Sequence, residues 1–106
     1  MKHEPNISYI KELSGDDTVF QEKFITILKD EFPEEYATYV ETVLQKDFAA
    51  AVQIVHKLKH KFNILSMHNA YGLAVSYELE LKNKDFGKDQ EFMVALSVVD
   101  SYLKTI

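Results

Sequence analysis

The segment FAAAVQIVHKLKHKFNIL, residues 48–65, gathers the side chains best suited to chemistry: His56 and His60 stand four residues apart, with Lys57, Lys59 and Lys61 among them. Neutral imidazole is a competent nucleophile near neutral pH, because its reference pKa is about 6.5. An ammonium group one turn away can offset the charge of an arriving phosphoryl group and hold the product, so that positioning and electrostatics do most of the catalysis. At about 100° per residue, a helical stripe through Val55, Leu58 and Phe62 points one way and His56 projects to its side, which predicts an exposed ring. Its helical neighbours Gln53, Lys59, His60 and Asn63 make a polar strip fit to dock an anion. Lys57 and Lys61 diverge from His56 in direction and read by default as a solvated face.

A second chemistry is open to the same residues. Two imidazoles at four-residue spacing can share a zinc ion. Here the intervening glutamate of HExxH is missing, no Glu-x-x-His pair exists for a di-iron bundle, and a third ligand would have to come from His68 or a distant carboxylate.

The elements that must position these groups follow from apolar spacing. Residues 6–13 form one or two helical turns before Ser14-Gly15 breaks them. Asp16 or Asp17 caps the next helix, whose stripe runs through Phe20, Phe24, Ile27, Leu28, Phe32, Tyr36, Tyr39, Val40 and Val43. Pro33 removes one backbone bond, so a kink or split is expected near Lys29 to Pro33, although the halves can still read as one helix. Asp47 caps a third element with Phe48, Val52, Val55, Leu58, Phe62 and Leu65 on its apolar face. A break at Ser66 to His68 precedes Ala70, Leu73, Ala74, Tyr77 and Leu81. The polar turn at 83–89 precedes a last helix carrying Phe92, Leu96, Val99, Leu103 and Ile106. Glu78 and Glu80 cannot face one another on a helix and are given no role. Such stripes bury most simply as an all-α antiparallel four-helix bundle preceded by a short N-terminal helix, with residues 1–5, including His3, a mobile tail.

Composition narrows the function. At 106 residues, 46% hydrophobic and 27% charged, the chain fits one soluble domain spanning 1–106. Three glycines and two prolines are few for an all-β domain's turns. Without cysteine there are no disulfides, thiolate metal sites or thiol nucleophiles. The opening MKHEPNISYI lacks an apolar signal stretch, and no run approaches the ~20 apolar residues of a membrane span, so a cytoplasmic protein is expected. A net charge of −5 opposes nonspecific nucleic-acid binding, and with all 12 basic residues lysine there is no arginine for bidentate recognition. No Gly-rich phosphate loop is present, so no nucleotide site is expected.

The run HKLKHKF, preceded by DFAAAVQIV and followed by a second amphipathic helix, resembles the histidine-containing phosphotransfer domains of two-component phosphorelays. The resemblance extends over nearly the whole chain: GDDTVFQEKF is similar to the start of that family's second helix, FPEEY to its mid-helix proline, and KDFAAAVQIVHKLK to the approach to the phosphorylated histidine. It implies that His56 is the phosphoryl acceptor, Lys59 the lysine that follows it and Leu58 the buried residue between. Two positions depart from the pattern: His60 and Ser66 stand where the family usually has glycine. The implied function is a phosphoryl carrier without autokinase activity. It would take the group from a receiver-domain aspartyl phosphate and pass it to another response-regulator aspartate. The receiver domains of hybrid kinases and response regulators supply Mg²⁺, and this chain, as a monomer, holds no cofactor of its own. Gln53, His60, Lys61 and Asn63 are then the expected contacts to receivers. An adaptor that docks a kinase or receiver without transfer would use the same face.

Overall fold

The computed structural model describes residues 4–106, so residues 1–3 of the tail expected at 1–5, His3 included, lie outside the described residues. Five helices make up the fold: α1 Ser8–Ser14, α2 Thr18–Leu44, α3 Phe48–Ile64, α4 His68–Lys82 and α5 Asp89–Leu103. The all-α expectation holds, and no strand occurs among the described residues. No helix among them is long and apolar enough to cross a membrane.

Both aspartate caps form. Asp17 accepts a hydrogen bond from the Phe20 N–H at 3.0 Å and Asp47 from the Ala50 N–H at 3.1 Å, satisfying donors that the first turn leaves free. The other ends of α2, α3 and α4 close alike. Lys46, Ser66 and Lys84 adopt left-handed backbone angles with φ of 53°, 59° and 59°. Beyond them the N–H groups of Asp47, Met67 and Asp85 bond back to the carbonyls of Thr42, Phe62 and Glu80, each at 2.9 Å. This paired return is the Schellman arrangement, for which glycine is the usual left-handed residue. At φ 59° Ser66 carries left-handed strain that a glycine at this position would not.

α2 runs unbroken for 27 residues through Pro33, as one helix rather than two. Its expected stripe is only partly buried: Leu28, Phe32 and Tyr39 are enclosed, whereas Phe20 is 42% and Ile27 53% exposed. Ile27 turns about 100° away from the buried Leu28 beside it, and Phe20 lies in the first turn of α2.

α3 packs against α2 and α4, α5 against α2 and α4, and α1 against α2. The buried faces are Ala51, Ile54, Val55, Leu58 and Phe62 of α3, Ala70, Ala74, Tyr77 and Leu81 of α4, and Phe92, Ala95, Leu96 and Val99 of α5. Phe92 sits among aromatic rings, with centroids 4.9 Å from Tyr39, 5.3 Å from Tyr77 and 5.7 Å from Phe62. The two tyrosine hydroxyls, 2.7 Å apart, satisfy one another, and Tyr39 donates onward to Asp89. Burial, the largest cause, pushes the Tyr77 phenol up to about 12 and the Tyr39 phenol well above its ordinary range.

Candidate functional site

The apolar stripe of α3 turns Val55 and Leu58 inward, and this fixes where the polar residues between them point. His56 lies at the surface with its side chain 56% exposed, as predicted. Gln53, His60 and Asn63 are also exposed. Beside His56 a shallow groove between α3 and α4 is lined by Val52, Gln53, Lys57, Glu78 and Lys82. Lys57 therefore borders the site, and Lys82 brings a second ammonium group from α4.

The group that organises the site is Glu78, which the sequence reading left without a role. Its Oε1 lies 3.1 Å from His56 Nδ1 and its Oε2 3.2 Å from Lys59 Nζ. An ionised carboxylate only accepts hydrogen bonds, so it assigns the proton of a neutral His56 to Nδ1 and leaves Nε2 as the unprotonated nitrogen, on the side that faces His60. Lys59 in turn anchors the carboxylate. Its side chain is 12% exposed, far less than expected, and its Nζ also stands 5.9 Å from the centre of the Tyr71 ring. Lys59 thus acts on His56 through Glu78.

Lys61 corrects a sequence expectation. Proposed as a receiver contact, it is instead buried, with its side chain 11% exposed and Nζ 2.9 Å from Glu31 and 3.3 Å from Glu35. Two residues along a helix turn a side chain about 200°, so Lys61 faces α2 while Lys59 faces α4. It holds α2 to α3 and is withdrawn from the site.

His60 approaches the reactive side of His56. The two Nε2 atoms are 3.3 Å apart and the rings nearly perpendicular at 89°. His68 does not complete a cluster with them: among the described residues no group of three histidine or acidic side chains could hold a metal ion.

One signal could have revealed Glu78 beforehand. It follows the buried Tyr77 directly and sits off the apolar stripe of α4, about 100° round the helix that follows the histidine helix in sequence. Compared with family models, curated proteins and solved structures, the chain has no significant match.

Proposed function

We propose that this protein is a phosphoryl carrier of the phosphorelay type, in which α2–α5 form an antiparallel four-helix bundle that presents His56 as the acceptor. The observation that carries the reading is the exposed His56 ring held at Nδ1 by Glu78, itself anchored by Lys59. This is the arrangement by which a carboxylate fixes an imidazole's tautomer and supports the charge it gains on attack.

The Nε2 lone pair attacks the phosphorus of an aspartyl phosphate, and the phosphorus–oxygen bond to the aspartate breaks with its electrons leaving on the carboxylate. The ring then carries positive charge shared with Nδ1–H, which faces Glu78. Lys57 and Lys82 line the groove on the Glu78 side of the ring and offset part of the negative charge that a phosphoryl group brings to this face. Mg²⁺ and the in-line geometry belong to the receiver. Transfer onward reverses these steps. Val75, one turn before Glu78 on α4, is 39% exposed and gives a receiver an apolar contact beside the polar strip.

The test is incubation with phosphorylated receivers and Mg²⁺. Wild type gains an acid-labile, base-stable phosphoryl group, and His56→Gln gains none while keeping its helicity and melting temperature. Glu78→Gln slows labelling about tenfold or more, because the amide can present its NH₂ to Nδ1 and favour the wrong tautomer. Label on another residue overturns the assignment, and docking without label leaves an adaptor.

A further inference from the structure

The side of His56 that faces away from Glu78 is not open on all quarters, since His60 Nε2 lies 3.3 Å from His56 Nε2. Two nitrogens bound to one zinc ion at about 2.0–2.1 Å in tetrahedral geometry stand about 3.3–3.4 Å apart. The imidazole pair already has the separation of two ligands of one ion. Both rings are at the surface, so a small turn of each exchanges a shared proton for a shared cation.

We propose that His56 and His60 form a site for a divalent transition metal of the zinc class, and that its occupation caps the phosphoryl acceptor. Beyond the spacing, the support is Glu78. Histidines that bind metals almost always donate their other ring N–H to a carboxylate or carbonyl, which fixes the tautomer and raises ligand basicity. His56 Nδ1 has that partner at 3.1 Å, and Lys59 holds the partner in place. With no third protein ligand among the described residues, water completes the coordination, giving an open and readily exchanged site. Ligand chemistry sets the selectivity: imidazole suits zinc, copper and nickel, whereas Mg²⁺ demands oxygen ligands. The Mg²⁺ needed for phosphotransfer therefore does not compete.

The capping consequence rests on the phosphoryl-carrier reading; the metal site does not. The ion occupies the same Nε2 lone pair that would attack phosphorus, so each ligand excludes the other, and the exclusion is reciprocal.

The test has two arms. Titrating ZnCl₂ into the full chain by calorimetry, with imidazole proton resonances followed by NMR, should give one zinc per chain and shift the His56 and His60 rings together. Affinity should fall at least tenfold in His60→Ala and about tenfold in Glu78→Gln, while His68→Ala binds as wild type and MgCl₂ shifts neither ring. Equal affinity in wild type and His60→Ala, or one zinc bridging two chains, overturns the site. In the second arm phosphoramidate, which needs no receiver, labels His56 with loss of ammonia as its phosphorus–nitrogen bond breaks. Saturating zinc should block this labelling, a chelator should restore it, and His60→Ala should be labelled with zinc present. Unimpeded labelling of the zinc-bound protein overturns the capping. Zinc binding at the pair without any labelling of His56 would sink the carrier reading and leave the metal site standing, and labelling without zinc binding would do the reverse.

Discussion

Lys59 and Lys61 stand two residues apart on α3, with side chains 12% and 11% exposed, and each is ion-paired to the neighbouring helix it faces. Their partners differ. Glu78, beside Lys59, has both oxygens engaged and passes the interaction on to an exposed imidazole. Glu35, beside Lys61, has one oxygen paired and the other, Oε1, buried without a hydrogen-bond partner. Both networks reach water, through His56 in one and through the half-exposed Glu31 in the other, but only the first ends on an imidazole that can react. The same residue type at similar burial thus serves the site in one case and the scaffold in the other.

The contrast is broken most directly at Lys61. Lys61→Ala strands Glu31 and the buried edge of Glu35, and should cost about 2–3 kcal/mol, lowering the melting temperature by roughly 10 °C or more. Labelling of His56 per folded molecule should not change. Lys61→Met, which fills the space, should recover part of the loss only if Glu35 protonates or turns to water, and a pH series of melts reports which.

The buried tyrosine pair offers a reference. Tyr77 titrates near 10.0 when unfolded and about 12 when folded. Because the folded value is the higher, its stabilisation is complete below pH 10.0 and is lost as pH rises toward about 12. Denaturant melts from pH 8 to 11 should steepen in their decline above about pH 10, and Tyr77→Phe should flatten that added slope. A decline of equal slope in both proteins would assign it to the Tyr39 and Tyr102 phenols, which burial also raises.

Lys59→Ala is expected to reverse the pattern of Lys61→Ala. It should cost less in a chemical melt, because Glu78 keeps the His56 ring as a partner, yet slow phosphoryl acceptance about tenfold, since Glu78 loses its anchor. If both variants lose stability alike and neither slows transfer, the distinction between the two lysines fails. The smallest effect belongs to the turn after α3. Ser66→Gly relieves the left-handed strain at φ 59° and should stabilise by about 0.5–1 kcal/mol, leaving both lysine pairs and labelling untouched.

Much of the architecture was legible in the chain itself. Apolar spacing located the helices, and the Asp16–Asp17 pair and Asp47 announced two of their starts, because helix periodicity and capping are local properties. His56 was legible for the same reason, its exposure following from its angle to Val55 and Leu58. The two lysines were not. In HKLKHK their surroundings are nearly alike, and only the packing of α2 on one side and α4 on the other separates them. Glu78 was missed because its partners lie 19 and 22 residues earlier, a distance that no helical period spans. Phe20 and Ile27 read as core because periodicity reports a face but not how much of its width and length the neighbours cover.

Tyr77 and Glu78 are consecutive residues on α4, one fastened to the aromatic centre and the other to the histidine helix. A rod pinned at adjacent points on different flanks resists rolling about its long axis in either sense. Any rotation that slackens the grip on His56 must also pull a phenol out of its bond in the interior, so the aim of the imidazole is stiffened by a residue that never touches it.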